Sequence, residues 1–263
     1  MSSNFQLSQP TQQTHLKVVA VIPCYNTEYS ISGVVSKARK YVDQVIVLND
    51  GSRDGTAEAA KAAGALVINH GTRMGYGDAI KSCFEAAKGN KADILVTLDG
   101  DGQHNPDELP QVLAPLLTGE ADLVIGSRFL RLPQPTQQTQ STQQTNMPGY
   151  RKFGINVITF LYNFGSRIKV SDSQSGFRAY SKKILDTISL TEKGMGISVE
   201  VILKARERGF SIKEVPISCT YHSKSSTINP VSHGFGVAFT VVKLRFRNAR
   251  KRLNLFFTKG AKR

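Results

Sequence analysis

Short β-branched runs alternate with helical patterns along this sequence, and the alternation constrains the fold more than any other feature. Five runs are short, apolar and followed by turn-forming residues: 17–22, 44–48, 65–69, 94–98 and 123–126. Strands covered by helices on both faces have such continuous apolar runs. The pattern is typical of βαβ units. We therefore predict an α/β fold with a mostly parallel sheet flanked by helices, with these five strands buried on both faces.

Helical spacing fills the gaps between the runs. Between the first two, apolar residues recur at Ile31, Val34, Val35, Ala38 and Val42, which predicts a helix that crosses back over the sheet. Another helix should begin at Asn105-Pro106, since asparagine is a good N-cap and proline suits the first turn. Further helices are predicted over 54–63, 76–88, 149–164 and 199–208, and a last strand over 211–217.

Length and composition predict one folded domain and two polar segments that do not join its core. The chain has 263 residues, 40% of them hydrophobic, which suits one substantial core and excludes disorder throughout. Residues 1–15 and 132–147 are rich in Gln, Thr and Pro, so we predict a disordered N-terminus and a low-complexity loop. The domain is predicted over 16–228. The three cysteines are scattered and no secretory signal is evident, which favours a cytoplasmic protein.

The C-terminal segment 229–263 is predicted to be a basic amphipathic helical tail. The net charge is +14, and no Asp or Glu follows Glu214. Lys and Arg interleaved with Phe, Leu and Val suit an anionic membrane surface, although a solvated helix would have the same composition. The apolar stretch 234–244 is far shorter than the ~20 residues that span a bilayer. We therefore predict peripheral association with the cytoplasmic face of the membrane.

Two acids follow the fourth run, at the strand end where open α/β sheets place ligands. Asp99, Asp101 and Gln103 stand at alternate positions and can face one hard cation such as Mg²⁺ or Mn²⁺. Gly100 between the acids would allow close approach by a diphosphate. The alternative is an acidic turn that caps the following helix.

Four other clusters accompany these acids. Ile-Pro-Cys-Tyr-Asn at 22–26 and Asn-Asp-Gly-Ser at 49–52 end two further strands, so three strand ends would form a cleft for a base and ribose. Arg128 and Arg178 lie beside small residues, and arginine forks bind phosphate oxygens. A solvated surface arginine is the alternative for each.

In their order along the chain, the five clusters resemble those of the family 2 glycosyltransferases, especially the dolichyl-phosphate and polyprenyl-phosphate sugar synthases. The resemblance covers about residues 17–226. The resemblance implies a GT-A type, Rossmann-like fold and a nucleotide-sugar donor. It implies donor contacts at Pro23, Tyr25, Asn26, Thr27, Asp50, Asp99, Gly100 and Asp101, and at His222, Lys224 and Ser226 in a loop that closes over the donor. It also implies a metal site at Asp99, Asp101 and Gln103 and catalytic roles for Asp101, Arg128 and Arg178. Thr27 and Asn49 depart from the family pattern, which carries Glu and Asp there.

The expected reaction is attack by an acceptor oxygen on the anomeric carbon, with inversion. A polyprenyl phosphate is already anionic and needs no strong base, whereas a hydroxyl acceptor needs a carboxylate such as Glu200. A UDP-sugar is the favoured donor, because residues 229–234 are similar to those of archaeal-type lipid-linked sugar synthases.

Other functional classes stay open. A soluble transferase acting on a sugar or metabolite hydroxyl is the alternative within enzymes, and a relative that binds the donor without transferring the sugar is another. A processive polysaccharide synthase is disfavoured, because its acceptor motif needs a Trp and the chain has none. The basic tail also suits a nucleic-acid-binding protein. Its aromatic residues match no nucleic-acid-reading motif, so no nucleic-acid partner is predicted.

Overall fold

The computed structural model describes residues 15–130, 149–164, 166, 168–220 and 243. In this part of the chain the strands are β1 Val18–Cys24, β2 Gln44–Asn49, β3 Leu66–Asn69, β4 Ile94–Thr97, β5 Leu123–Ser127, β6 Arg178–Ser181 and β7 Ile212–Pro216. The helices are α1 Glu28–Ala38, α2 Thr56–Ala62, α3 Tyr76–Gly89, α4 Leu109–Leu117, α5 Gly149–Asn163, α6 Lys182–Thr187 and α7 Gly196–Glu207, and the 3₁₀ turn Pro106–Glu108 precedes α4.

The described strands form one mixed sheet in the order β3-β2-β1-β4-β6-β5-β7. β1 pairs in parallel with β2 and β4, β2 pairs in parallel with β3, and β5 with β7. β6 lies antiparallel between β4 and β5, with Arg178 opposite both Thr97 and Ile125. β6 therefore begins at the edge of the sheet where β1, β2, β4 and β5 end. The predicted α/β fold with a mostly parallel sheet is confirmed.

The hydrophobic core lies in two layers, one on each face of the sheet. Successive residues of β1 alternate between them, with Val19 and Val21 in one layer and Ala20 and Ile22 in the other. Buried side chains of α3, α5, α6 and α7 fill the first layer, and those of α1, α2 and α4 fill the second. Burial on both faces explains why this strand has no polar alternation.

The predicted strands agree with the observed ones to within two residues at either end. Burial on both faces is wrong for β3, because Leu66 is 47% exposed and the strand lies at the edge of the sheet. Asn105 caps the turn before α4, accepting at Oδ1 from the Asp107 N–H at 3.2 Å, so that predicted cap is confirmed.

Two elements were not predicted from the sequence. β6 and α6 form in a stretch whose Ser, Asp and Arg residues indicated only a polar cluster. β6 is four residues long, and pairing with strands on both sides stabilises it where its own sequence shows no strand pattern. Apart from His15 and Lys243, the segments 1–15, 132–147 and 229–263 lie outside the described residues, so their predicted states stay predictions.

Candidate active site

Asp99 and Asp101 lie in the turn after β4, at the edge where the parallel strands end. Gln103 donates to Asp101 twice, from its backbone N–H to Oδ1 at 3.1 Å and from Nε2 to Oδ2 at 2.6 Å. Gly176 faces Asp99 so closely that an added Cβ would lie 2.7 Å from both carboxylate oxygens. Since Asn105 caps the following helix, capping does not explain the two acids.

The surroundings of Asp99 and Asp101 disfavour ionisation of both carboxyl groups at once. Burial raises the pKa of Asp99, although the charges of Arg128 and Arg178 oppose the shift. Burial and the charge of Asp99 raise the pKa of Asp101. A divalent cation between them would allow both to ionise. The Asp99 side chain is 36% exposed, so a ligand can reach it from solvent.

The donor atoms suit a hard cation. Two carboxylates and an amide oxygen are the ligands that Mg²⁺ and Mn²⁺ prefer. No cluster of three or more His, Cys, Asp or Glu side chains suited to a metal occurs among the residues that the structure describes.

His104 lies beneath this turn and was not assigned a role from the sequence. Its ring packs against Phe177, with the centroids 5.6 Å apart, and its Nδ1 lies 3.6 Å from Asp99 Oδ2. In the described part of the chain Nδ1 has no hydrogen-bond partner. Burial lowers the pKa of His104 to about 4, so the ring is neutral near pH 7 and adds no positive charge to the site.

Arg128 follows β5 and forms a buried ion pair. Its Nε and one terminal nitrogen donate to the two carboxylate oxygens of Asp172 at 2.6 and 2.8 Å. Burial opposes ionisation of Asp172, but the charge and hydrogen bonds of Arg128 outweigh it and hold its pKa below the usual value. Arg128 thus lies at the predicted edge of the sheet, where its guanidinium binds a protein carboxylate. Contact between Arg128 and a phosphate stays a prediction.

Arg178 lies under the site rather than in the open cleft. The residue is fully buried, and its guanidinium donates to the backbone carbonyls of Ser173, Ser175 and Ser198 at 2.7–2.8 Å. Direct contact with a phosphate would require these bonds to break. What Arg178 supplies in this geometry is a positive charge close enough to Asp99 to oppose the rise in its pKa.

The end of β1 lies on the other side of β4 from Arg128 and Arg178, at the same edge of the sheet. The Arg73 guanidinium lies over the Tyr25 ring, 4.0 Å from its centroid. Asn26, with φ of 52°, donates its N–H to Ser52 Oγ and accepts at Oδ1 from the Arg53 N–H, both at 2.9 Å. These bonds tie β1 to the turn after β2. Arg73 was not predicted from the sequence.

Three other predicted residues lie at the same edge, in protein contacts. Pro23 is in β1 opposite Leu48, and the buried Thr27 donates its N–H to Thr56 Oγ1 at 2.8 Å. Gly100 packs on Cys24, where an added Cβ would lie 2.3 Å from Sγ. This contact within the protein explains the glycine at position 100, and the approach of a phosphate is not needed to explain it.

Asp50 and Glu200 are both occupied by protein partners. Asp50 is buried after β2 and accepts from two backbone N–H groups and from His70. Glu200 in α7 accepts from Thr191, Glu192 and Lys204, and these bonds leave it poorly suited to act as a base. His222, Lys224 and Ser226 lie outside the described residues.

Solved structures with the same architecture include a glucosyl-3-phosphoglycerate synthase from Mycobacterium tuberculosis, in complex with Mn²⁺, UDP-glucose and phosphoglyceric acid. The TM-score is 0.64 at 22% sequence identity, over 87% of this chain and 79% of that chain. The mixed sheet with acids at its carboxyl edge is therefore the GT-A fold.

Sequence comparison then identifies the family. The pattern described as "Glycosyl transferase family 2" matches residues 19–189. The chain is 30% identical to the UDP-N-acetylglucosamine–dolichyl-phosphate N-acetylglucosaminyltransferase of Methanococcus voltae, over 87% of this chain and 96% of the relative. It is also 30% identical to the polyprenol monophosphomannose synthase of Mycolicibacterium smegmatis, over 92% of each. The chain belongs to glycosyl transferase family 2, as the sequence motifs predicted.

Proposed function

We propose that this enzyme transfers a sugar from a nucleoside diphosphate to a polyprenyl or dolichyl phosphate at a membrane surface, with inversion and with a UDP-sugar as the favoured donor. The observation that carries the proposal is the pair Asp99 and Asp101 at the sheet edge of a family 2 chain. The names of the two relatives support a lipid-phosphate acceptor. The Methanococcus voltae relative also supports UDP as the nucleotide.

Different residues of the site would bind different parts of the donor. Asp99, Asp101 and Gln103 would hold Mg²⁺ or Mn²⁺, which when bound supplies positive charge to the leaving diphosphate. Arg178 adds positive charge on the side of the site formed by β6, whereas Asp172 balances the charge of Arg128 until a diphosphate competes for it. Tyr25 lies on the other side of β4, where the Arg73 guanidinium covers one face of its ring and a nucleoside base would stack on the other face.

The surroundings of Glu200 favour a phosphate acceptor over a hydroxyl. A hydroxyl acceptor needs a general base within hydrogen-bond reach, and hydrogen bonds with the protein already occupy the Glu200 carboxylate. A phosphate monoester carries its own negative charge near pH 7. Attack by a phosphate oxygen on the anomeric carbon therefore requires no base from the protein.

An exposed apolar stripe on α5 supports a lipid-linked acceptor. Phe153, Val157 and Phe160 follow helical spacing, and the two phenylalanines are 72% and 65% exposed. Lys152 is exposed on α5 and Lys169 is exposed in the segment that follows it, and no Asp or Glu occurs between residues 131 and 171. Exposed aromatic residues in a segment that is basic overall suit an anionic membrane interface.

α5 is also connected to the site. Thr159 Oγ1 lies 3.0 Å from Ser173 Oγ, in the segment that carries Asp172 and Arg178. A membrane bound at the stripe would hold the acceptor on this side of the cleft. No helix in the described ranges is both long and apolar enough to cross a bilayer.

Transfer of labelled sugar tests the reaction. The protein would be incubated with UDP-glucose, UDP-GlcNAc or GDP-mannose and with dolichyl or undecaprenyl phosphate, with Mn²⁺ or Mg²⁺ and then with EDTA. We expect organic-extractable label that disappears with EDTA and with Asp101→Asn. The matched control is Asp186→Asn, because Asp186 is an exposed carboxylate of α6 at the opposite edge of the sheet. Metal-dependent donor hydrolysis without lipid label would overturn the lipid acceptor and leave a transferase with a soluble one.

Sedimentation with vesicles of phosphatidylcholine and phosphatidylglycerol tests the surface. Phe153→Ser with Phe160→Ser should weaken binding more than tenfold, since burying each phenylalanine contributes about 1.5–3 kcal/mol. Leu117→Ser, at an exposed leucine of α4, should bind like the wild type. A chain that ends before Gly234 measures how much the C-terminal tail contributes to vesicle binding. Wild-type binding by the double phenylalanine variant would exclude α5 as the membrane contact.

A further inference from the structure

A buried chain of hydrogen bonds connects β2, β3 and α3, and the reaction proposed above does not use it. His70 follows β3, and its Nδ1 lies 2.8 Å from Asp50 Oδ1 while its Nε2 lies 2.9 Å from Ser82 Oγ. The side chains of His70 and Asp50 are only 11% and 6% exposed. An ionised carboxylate can only accept, so Nδ1 carries the proton toward Asp50 and Nε2 faces the hydroxyl.

Asp50 also holds the backbone of the loop that follows His70. Its Oδ1 accepts from the Met74 N–H at 2.8 Å and its Oδ2 from the Gly75 N–H at 2.9 Å. With His70, three donors occupy a carboxylate that offers about four acceptor positions. The nucleoside contact that the family resemblance implies for Asp50 would have to compete with these bonds.

The loop is fixed from a second side by direct backbone contact. Gly51 has φ of +71°, and a Cβ added there would lie 2.6 Å from the Arg73 nitrogen and 2.7 Å from the carbonyl carbon of Thr72. Gly51 and Asp50 are consecutive, so the turn after β2 both touches the loop and hydrogen-bonds it. Loop 71–75 can therefore shift only if the bonds from the Met74 and Gly75 amides to Asp50 break or this backbone contact is lost.

The position of the loop determines where Arg73 lies. Arg73 is the exposed residue of the loop whose guanidinium stacks on Tyr25. Tyr25 follows β1 at the edge where the acids lie. A change in the loop would therefore be transmitted to this stacked pair in the donor half of the cleft.

We propose that His70, acting through the Asp50 carboxylate, is a positioning residue that holds loop 71–75 and so keeps Arg73 stacked on Tyr25 at the donor side of the site. The proposal rests on the proposed function in naming a nucleoside diphosphate as the ligand. The position of the loop itself can be measured without any ligand.

Binding of UDP with Mn²⁺, measured by calorimetry, tests the route through Arg73. His70→Leu removes both hydrogen bonds and should weaken binding about tenfold and raise KM for the donor, with kcat changed less than about twofold. His70→Asn retains a donor near the Nδ1 position and should restore binding to within about threefold of the wild type. In an Arg73→Ala background His70→Leu should have less than about twofold further effect, because residues that act through one another are not additive.

Hydrogen exchange of the free protein provides the second readout. His70→Leu and the milder Ser82→Ala should both speed exchange of the Met74 and Gly75 amides. The control is His15→Leu, because His15 forms an exposed pair with Asp43, 2.7 Å away at the other end of β1, and its loss should leave these amides unchanged.

Each result decides a different point. Unchanged exchange in both His70→Leu and Ser82→Ala would overturn the proposal, as would an effect of His70→Leu on UDP binding that persists in full without Arg73. If exchange is faster in His70→Leu but the wild-type protein binds no nucleoside diphosphate, the proposed function is refuted and the role of His70 in fixing the loop is retained.

Discussion

Gly176→Ala is the change that the geometry of the site predicts most sharply. The added Cβ would lie 2.7 Å from both oxygens of Asp99 and 2.9 Å from its Cγ, whereas ordinary contacts begin at 3.4 Å. The carboxylate would have to move by roughly 0.7 Å, several times the ~0.2 Å tolerance of metal–ligand distances. Gly176 does not have a positive φ in the range that L residues avoid, so the backbone accepts alanine.

The cost should therefore appear in metal binding rather than in folding, because the end of a side chain moves while the backbone stays. We expect Mn²⁺ affinity in the presence of UDP to fall about 10- to 100-fold, as for changes that misorient a ligand. Electron paramagnetic resonance of free Mn²⁺ measures the affinity, and urea denaturation should show nearly unchanged stability. The control is Gly33→Ala on α1, where an added Cβ meets nothing within 4 Å. Unchanged Mn²⁺ affinity in Gly176→Ala would refute the assignment of Asp99 as a metal ligand.

Three further outcomes are expected. Asp172→Asn should lower the free energy of unfolding at pH 7 by about 3–5 kcal/mol, because it removes one charge of the buried pair with Arg128. The pKa of Asp172 is depressed in the folded protein, so its stabilising effect is complete above about pH 4 and is lost as pH falls through the folded pKa, where urea titrations of the two proteins should converge. Gly100→Ala should cost about 1–3 kcal/mol by overpacking, and Cys24→Ala should recover most of that loss in the double variant if the predicted clash is correct. NMR of isotope-labelled histidine should show that His104, with a pKa of about 4, stays neutral down to about pH 5; a midpoint near the usual 6.5 would contradict its burial.

Much of the fold follows from local pattern. The apolar runs of β1, β2 and β4 end in Pro23, Asn49 and Asp99, and the strand period, the turn residues and the acids are all visible in short windows of sequence. A parallel arrangement then brings those strand ends to one edge. The position of the candidate site and its hard-cation chemistry are predictable for that reason.

The contacts of the arginines and of Asp50 could not be predicted from local sequence patterns in the same way. The small residues beside Arg178 indicated a phosphate ligand, yet Arg178 is buried because β6 inserts between β4 and β5 in the reverse direction. His70 also follows a predicted strand, the same position as the other site residues, and that was the signal that could have drawn attention to it.

The sequence by itself determined the strands β1 to β5 and β7, their ends to within two residues and the acids that follow β4, because these depend on neighbours in the chain. Only the tertiary structure decided that Gly176 confines Asp99, that Arg128 pairs with Asp172 and that His70 reaches both Asp50 and Ser82. Each of these contacts joins residues at least 12 positions apart. Their distances are set by how the sheet orders its strands, and no local propensity carries that information.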